Sequence, residues 1–216
     1  MTGISRRSFF ARASAAASAL CLSPRLAAGV AASGVMEEVL GLLAQTGPEY
    51  GGGLSNHGPM AAEALVVLGR PDAAIPWVES YRRRLRDHPE SRKSIAREGW
   101  REGLGEYGRV GDWIVFFERE LSEAPWREAL GRWSAKLAPG MSAAAFHGLI
   151  RTAHAARSLS AGETPARRRE LAEGLGYWAA RYQALPAREG AMAGRERPSE
   201  AIREVPHFPP AGAAAG

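Results

Sequence analysis

The sequence predicts an all-α protein, a single helical domain of antiparallel packed helices with Gly/Pro-rich connections. Three observations carry that expectation. Apolar residues recur at three- and four-residue intervals in one segment after another. Glycine and proline, 25 and 14 residues, cluster at the joints between those segments and at the two ends of the chain. No run shows the two-residue alternation of a half-buried strand.

The elements follow in order. Residues 35–45 place apolar side chains at 35, 36, 39, 40, 42 and 43, which is a short amphipathic helix ended by Thr46-Gly47-Pro48. Residues 49–58 read as a glycine-rich loop, in which Gly51 to Gly53 give the chain slack to turn. Pro59 suits the first position of a helix, where a missing N–H costs nothing, and Gly69-Arg70-Pro71 stops that helix. Residues 72–87 form the next, with Ile75, Val78, Tyr81 and Leu85 on one face and Arg82, Arg83, Arg84 and Arg86 on a solvated one. Asp112 is a candidate N-cap for a helix over 113–121. Trp126, Leu130, Trp133 and Leu137 mark a core-facing stripe over 124–137. Ser142 is a candidate cap for a helix over 143–159. Leu171, Leu175, Trp178 and Tyr182 share a face of a helix over 165–185.

Charge and motifs exclude several function classes. The formal charge is +5, but Arg6, Arg7, Arg12 and Arg25 all precede the first acidic residue, Glu37. Without them 24 basic residues face 23 acidic ones, too even a balance for a nucleic-acid footprint. Cys21 is the one cysteine, so neither a disulfide framework nor a thiolate metal site is available. Gly103-Leu104-Gly105-Glu106-Tyr107-Gly108 is formally G-x-G-x-x-G, but no strand precedes it, so it is not a nucleotide loop. G-x-S-x-G, H-E-x-x-H and C-x-x-C are all missing.

The first 34 residues read as a signal peptide. Ser5-Arg6-Arg7-Ser8-Phe9-Phe10 is a twin-arginine pattern ahead of a mildly apolar, alanine-rich run. That run is too short to span a bilayer stably. The expectation is export to the periplasm or beyond by the twin-arginine route, which carries folded and often cofactor-loaded proteins. Residues 35–207 would then be the helical domain and residues 208–216 a low-complexity tail.

Histidine is the remaining chemical signal. His57 lies where the glycine-rich loop becomes helix, and is expected to face a buried site. His147, Arg151 and His154 are spaced four and three apart, hence on one helix face. His88 reads as an exposed helix-end residue and His207 as part of the tail. Imidazoles are common ligands for iron, zinc or copper. Yet residues seven apart lie ~10.5 Å apart along a helix, so both rings would have to lean toward a shared ion. Spacing alone leaves two readings open, metal ligands or hydrogen-bonded structural histidines.

Three segments taken together resemble the questin oxidase-like family. They are Pro48-Glu49-Tyr50 through Asn56-His57-Gly58-Pro59-Met60, the spacer containing Trp100, Leu104-Gly105, Asp112-Trp113 and Trp133, and Phe146-His147-Gly148-Leu149-Ile150-Arg151. The resemblance covers roughly residues 37–207. It implies a largely helical oxidoreductase that uses O2, with NADPH as a reductant, to oxidise or open a polycyclic aromatic or quinone-type substrate. It further implies iron held by His57, His147 and His154, Arg151 steadying a substrate oxyanion, and Trp100 and Trp113 lining the pocket. Family members are about twice this length, so a further ligand and a modified lysine would lie beyond the matching half. The competing expectation is a catalytically incomplete helical binding or assembly module, which leaves homo-oligomerisation open.

Overall fold

In the computed structural model, residues 24–184 and 197–204 are described. The elements run α1 (Pro24–Leu43), a hairpin of β1 (Glu49–Tyr50) and β2 (Leu54–Ser55), α2 (Gly58–Val67), α3 (Pro71–Arg82), α4 (Val110–Glu123), α5 (Trp126–Leu137), α6 (His147–Ala161) and α7 (Pro165–Ala180). Short 3-10 turns occupy Trp100–Gly103, Tyr107–Arg109 and Ala138–Gly140. Residues up to Ala184 form one unit, and residues 185–216 a second, of which helix α8 (Pro198–Glu204) is described. The architecture is all-α, as the sequence predicts, and among the described residues no helix is long and apolar enough to cross a membrane.

Helix α7 is the axis of the first unit, packed chiefly against α4 and α6. Its run Leu171 to Ala180 is buried on every side. Small residues let its neighbours close in. A Cβ on Gly148 of α6 would sit 2.6 Å from Trp178 Cα, and one on Gly174 would sit 2.9 Å from the Thr152 backbone nitrogen. The main core fills the space between α4, α5, α6 and α7. Within it Trp100, Trp113, Phe116, Phe117 and Trp133 meet mostly edge to face, at centroid distances that favour aromatic pairs. A second, smaller core of Val39, Leu43, Ala62, Ala74 and Val78 joins α1, α2 and α3.

Several local expectations are corrected. The loop after α1 holds a two-residue-stranded hairpin, pairing Glu49 with Ser55 and Tyr50 with Leu54. Gly51, Gly52 and Gly53 all have positive φ and form its turn, so they are a defined bend rather than slack. Asp112 does not cap α4. It lies within the first turn, where its Oδ1 accepts hydrogen bonds from the Arg92 and Lys93 backbone N–H groups. Ser142 does not cap α6, which starts at His147 behind Phe146. Trp100 and Trp113, 5% and 0% exposed, are core residues and do not line the cleft that holds His57. Of the expected leader, residues 1–23 lie outside the described residues. Residues 24–34 belong to α1, which therefore begins earlier than position 35. His207 and residues 208–216 also lie outside the described residues.

Candidate functional site

The local sequence Asn56-His57-Gly58-Pro59 is a corner built to present His57. Asn56, 1% exposed, donates from Nδ2 to the Gly47 carbonyl, and its Oδ1 accepts from the Gly58 N–H. Gly58 is tightly packed: a Cβ there would stand 2.9 Å from Leu43 Cδ1, so the leucine side chain would have to shift. His57 is the N-cap of α2, and its backbone N–H donates to the Tyr81 hydroxyl at 2.9 Å. Burial pushes the Tyr81 phenol up to about 12, so it stays a neutral hydroxyl.

The second corner precedes α6. Ala144, Ala145 and Phe146 hold φ of 48°, 50° and 68°, three consecutive left-handed non-glycine residues. Each such residue costs about 1–2 kcal/mol, and strain of this kind persists only where the surroundings impose it. The turn places the Ala144 carbonyl 2.7 Å from His147 Nδ1. A carbonyl only accepts, so Nδ1 carries the proton and the lone pair of His147 lies on Nε2.

These two corners bring His57 and His147, ninety residues apart in sequence, to an Nε2···Nε2 distance of 3.0 Å. Their rings are 4.8 Å apart between centroids and 86° between planes. The pair lies on a cleft of about 830 Å³ that is also lined by Glu49, Ser55, Ala144 and Arg181. His57 is exposed at its rim rather than buried, which corrects the expectation from sequence.

A polar network lines the same cleft. Glu49 accepts from Tyr177 Oη at 2.9 Å and from Arg181 Nε and Nη2 at 2.7 and 2.6 Å. Arg181 Cζ lies over the Tyr107 ring, 3.9 Å from its centroid. Burial pushes the Tyr107 phenol up to about 12 and raises Tyr177 further, so both remain protonated. Sequence reading missed Ser55, Tyr177 and Arg181, which carry no local motif.

Arg151 and His154 belong elsewhere. Arg151 is 3% exposed and donates from Nε and Nη2 to Glu170 at 2.7 and 2.9 Å. It lines a separate cavity, so the oxyanion role expected for it does not fit its place. His154 Nδ1 lies 2.7 Å from Glu63 Oε2, and Arg157 also donates to both Glu63 oxygens. Burial raises the Glu63 carboxyl, but the hydrogen bonds from His154 and Arg157 outweigh it and hold it below the usual carboxylate range. His88 is also more than a surface residue, because its Nε2 lies 2.7 Å from Glu173 Oε1. Glu63 had a weak signal in sequence, as the lone charge in the apolar run Met60 to Leu68.

Two contact levels, His57 with His147 and Glu63 with His154, set α2 and α6 side by side and pointing the same way. His57 and His147, at the N-terminal ends of the two helices, therefore both line the cleft. The structure thus brings together two of the three histidines predicted as ligands. Among the described residues no three His, Cys, Asp or Glu side chains converge as a metal centre. No family model, curated protein or solved structure matches the chain.

Proposed function

We propose that the cleft bearing His57 and His147 is the reaction site of an oxidoreductase of the questin oxidase type, which oxidises or opens a small aromatic or quinone-type substrate with O2. The observation that carries this reading is the meeting of two imidazoles from separate helices, Nε2 to Nε2 at 3.0 Å, on a cleft. Its volume of about 830 Å³ lies within the usual range of small-molecule sites.

The residues fit the implied iron only in part. His57 and His147, their Nε2 atoms 3.0 Å apart, are the two residues that would hold an ion here. The Ala144 carbonyl behind His147 is the kind of partner that orients a metal-bound imidazole. His154 does not join them, because its Nδ1 is committed to Glu63. Glu49, the carboxylate lining the cleft, is already occupied by Arg181 and Tyr177. The three-histidine set therefore does not fit, and a two-histidine edge does. Iron held there would supply the electron transfer that O2 requires. For NADPH, no strand–loop–helix phosphate site occurs among the described residues; insertion of a single oxygen atom from O2 would draw its two electrons from NADPH or another reductant in solution.

The chain's own groups do the rest. His147 is fixed with its lone pair outward, so in the metal-free pair the single Nε2 proton comes from His57. His147 stands at the N-terminus of α6, whose dipole favours a substrate oxygen that carries negative charge, such as the phenolate of a hydroxyquinone. The twin-arginine leader would carry the folded protein out of the cytoplasm.

The test is anaerobic iron loading of the purified chain followed by O2 uptake with a panel of hydroxyanthraquinones. The expected result is bound iron and uptake, both lost in His57→Ala and in His147→Ala. Less than about 0.1 iron per chain, together with no uptake, sinks the reading.

A second reading, a binding or assembly module, rests on Leu54, Phe146 and Ile150, which are 57%, 47% and 39% exposed. Leu54 lines the cleft, and the other two lie within a turn of His147. Light scattering separates the two: a stable monomer with a cooperative melt counts against assembly.

A further inference from the structure

Besides the two histidines, the charged side chains that line the cleft are Glu49 and Arg181. They are not equally open to it. The Glu49 side chain is 7% exposed and that of Arg181 36%. Glu49 accepts from Tyr177 Oη and from Arg181 Nε and Nη2, so its charge is met by protein donors. Arg181 is held along one edge by Glu49 and over one face by Tyr107. A guanidinium carries five N–H donors. Glu49 takes one from Nε and one from Nη2, and the outer edge keeps the other Nη2 donor and both on Nη1. Nη1 makes no hydrogen bond among the described residues, and it is not sealed in the core. A fork fixed from two sides, with its outer edge uncommitted, thus stands on the cleft.

We propose that Arg181 anchors an acidic ligand in this cleft, an aromatic carboxylate whose two oxygens accept from Nη1 and Nη2 while its ring system lies along the cleft that His57 and His147 line. Parallel N–H groups on a planar guanidinium match a carboxylate, and such charge-assisted pairs are about twice as strong as neutral ones. Charge favours the acid over a neutral ketone, because the accessible member of the Glu49–Arg181 pair is the cation. The N-terminus of α6, at His147, adds potential of the same sign. So does the exposed Arg86, which lies near enough to act on the Tyr107 phenol together with Arg181. Because Glu49 and Tyr107 already hold the arginine, little ordering cost is left for binding. This names a substrate class for the site proposed above and rests on that reading, but the contact itself needs neither iron nor O2.

The test is titration of the metal-free full chain with 2-naphthoate and with 2-naphthamide, its neutral isostere, followed by calorimetry and amide shifts. Saturable binding of the acid is expected, with shifts at Ser55, Tyr182 and Gln183, which line the cleft. The amide should bind at least about tenfold more weakly. Removing Arg181 alone would strand the buried Glu49, so the decisive variant is the double change Glu49→Gln with Arg181→Gln, which leaves no buried charge unpaired. It should abolish the preference for the acid while leaving the affinity for the amide unchanged. Arg181→Lys keeps a cation for Glu49 but loses the fork, and should weaken naphthoate binding at least about tenfold. No saturation with the acid up to about 10 mM, equal affinity for the amide, or an unaltered preference in either variant that folds overturns the proposal. Naphthoate binding without any O2 uptake would sink the oxidative reading and leave this one standing, and uptake without naphthoate binding would do the reverse.

Discussion

His147 owes its place to three residues that sequence propensity argues against. Ala144, Ala145 and Phe146 are held in the left-handed region, and the reward is a carbonyl aimed at His147 Nδ1. Glycine adopts that region without the steric cost. Ala145→Gly should therefore raise stability in urea unfolding by up to about 1 kcal/mol, while loosening the hold on His147. His57→Ala and His147→Ala should each change the melting temperature little, since His57 is exposed and His147 half-buried. The same two variants should abolish whatever the cleft does, as read by O2 uptake. Part of this was legible. His57 and His147 stood out as a loop–helix histidine and a helical one. Their separation from Arg151 and His154 was not legible, because spacing along one helix gives a shared face but not the partner that each position meets.

Between elements, charge and closeness play different parts. The α6–α7 contact depends on having no side chain at Gly148 and Gly174. Gly148→Ala should cost about 1–3 kcal/mol by overpacking, and should show as an earlier denaturant midpoint with an unchanged slope. Two carboxylates on neighbouring seams should respond unequally to removal. Glu170→Ala strands Arg151, which is buried, and should cost about 3–5 kcal/mol. Glu63→Ala frees Arg157, whose side chain is 52% exposed and can be hydrated, so about 1–2 kcal/mol is expected. Sequence periodicity located the helices that bear these pairs. It placed the start of α6 four residues early, because Ser142 looks like a cap and the strained turn after it carries no signature of its own.

At the scale of the whole molecule, the buried carboxylates set the response to acid. Glu63, Asp112 and Glu120 are buried, which raises them, but hydrogen bonds and neighbouring arginines outweigh that and hold all three below their ordinary values. Groups lowered in the folded state add stability that is complete above their unfolded values and is lost as pH falls through the folded ones. Glu170 runs the other way, raised by burial despite Arg151, so its contribution is lost as pH rises through its folded value. Glu170 acts above its ordinary value, so below about pH 4.5 the three lowered carboxylates decide: the melting temperature should fall steadily there, and Glu63→Gln should flatten that fall.

Sequence by itself determined the all-α class, the order of the helices, the aromatic stripe as core, and a candidate set of His57, His147, Arg151 and His154 without saying which of them meet. All of these are local quantities: periodicity, Gly/Pro punctuation and residue type repeat within one or two turns of chain. Tertiary structure alone decided the rest. It paired His57 with His147 across ninety residues, and gave His154 to Glu63 and Arg151 to Glu170. The physical reason is that a hydrogen bond or ion pair is fixed by the distance between two atoms. In this fold that distance is set by how close α6, α7 and α2 can pack, which no single segment records.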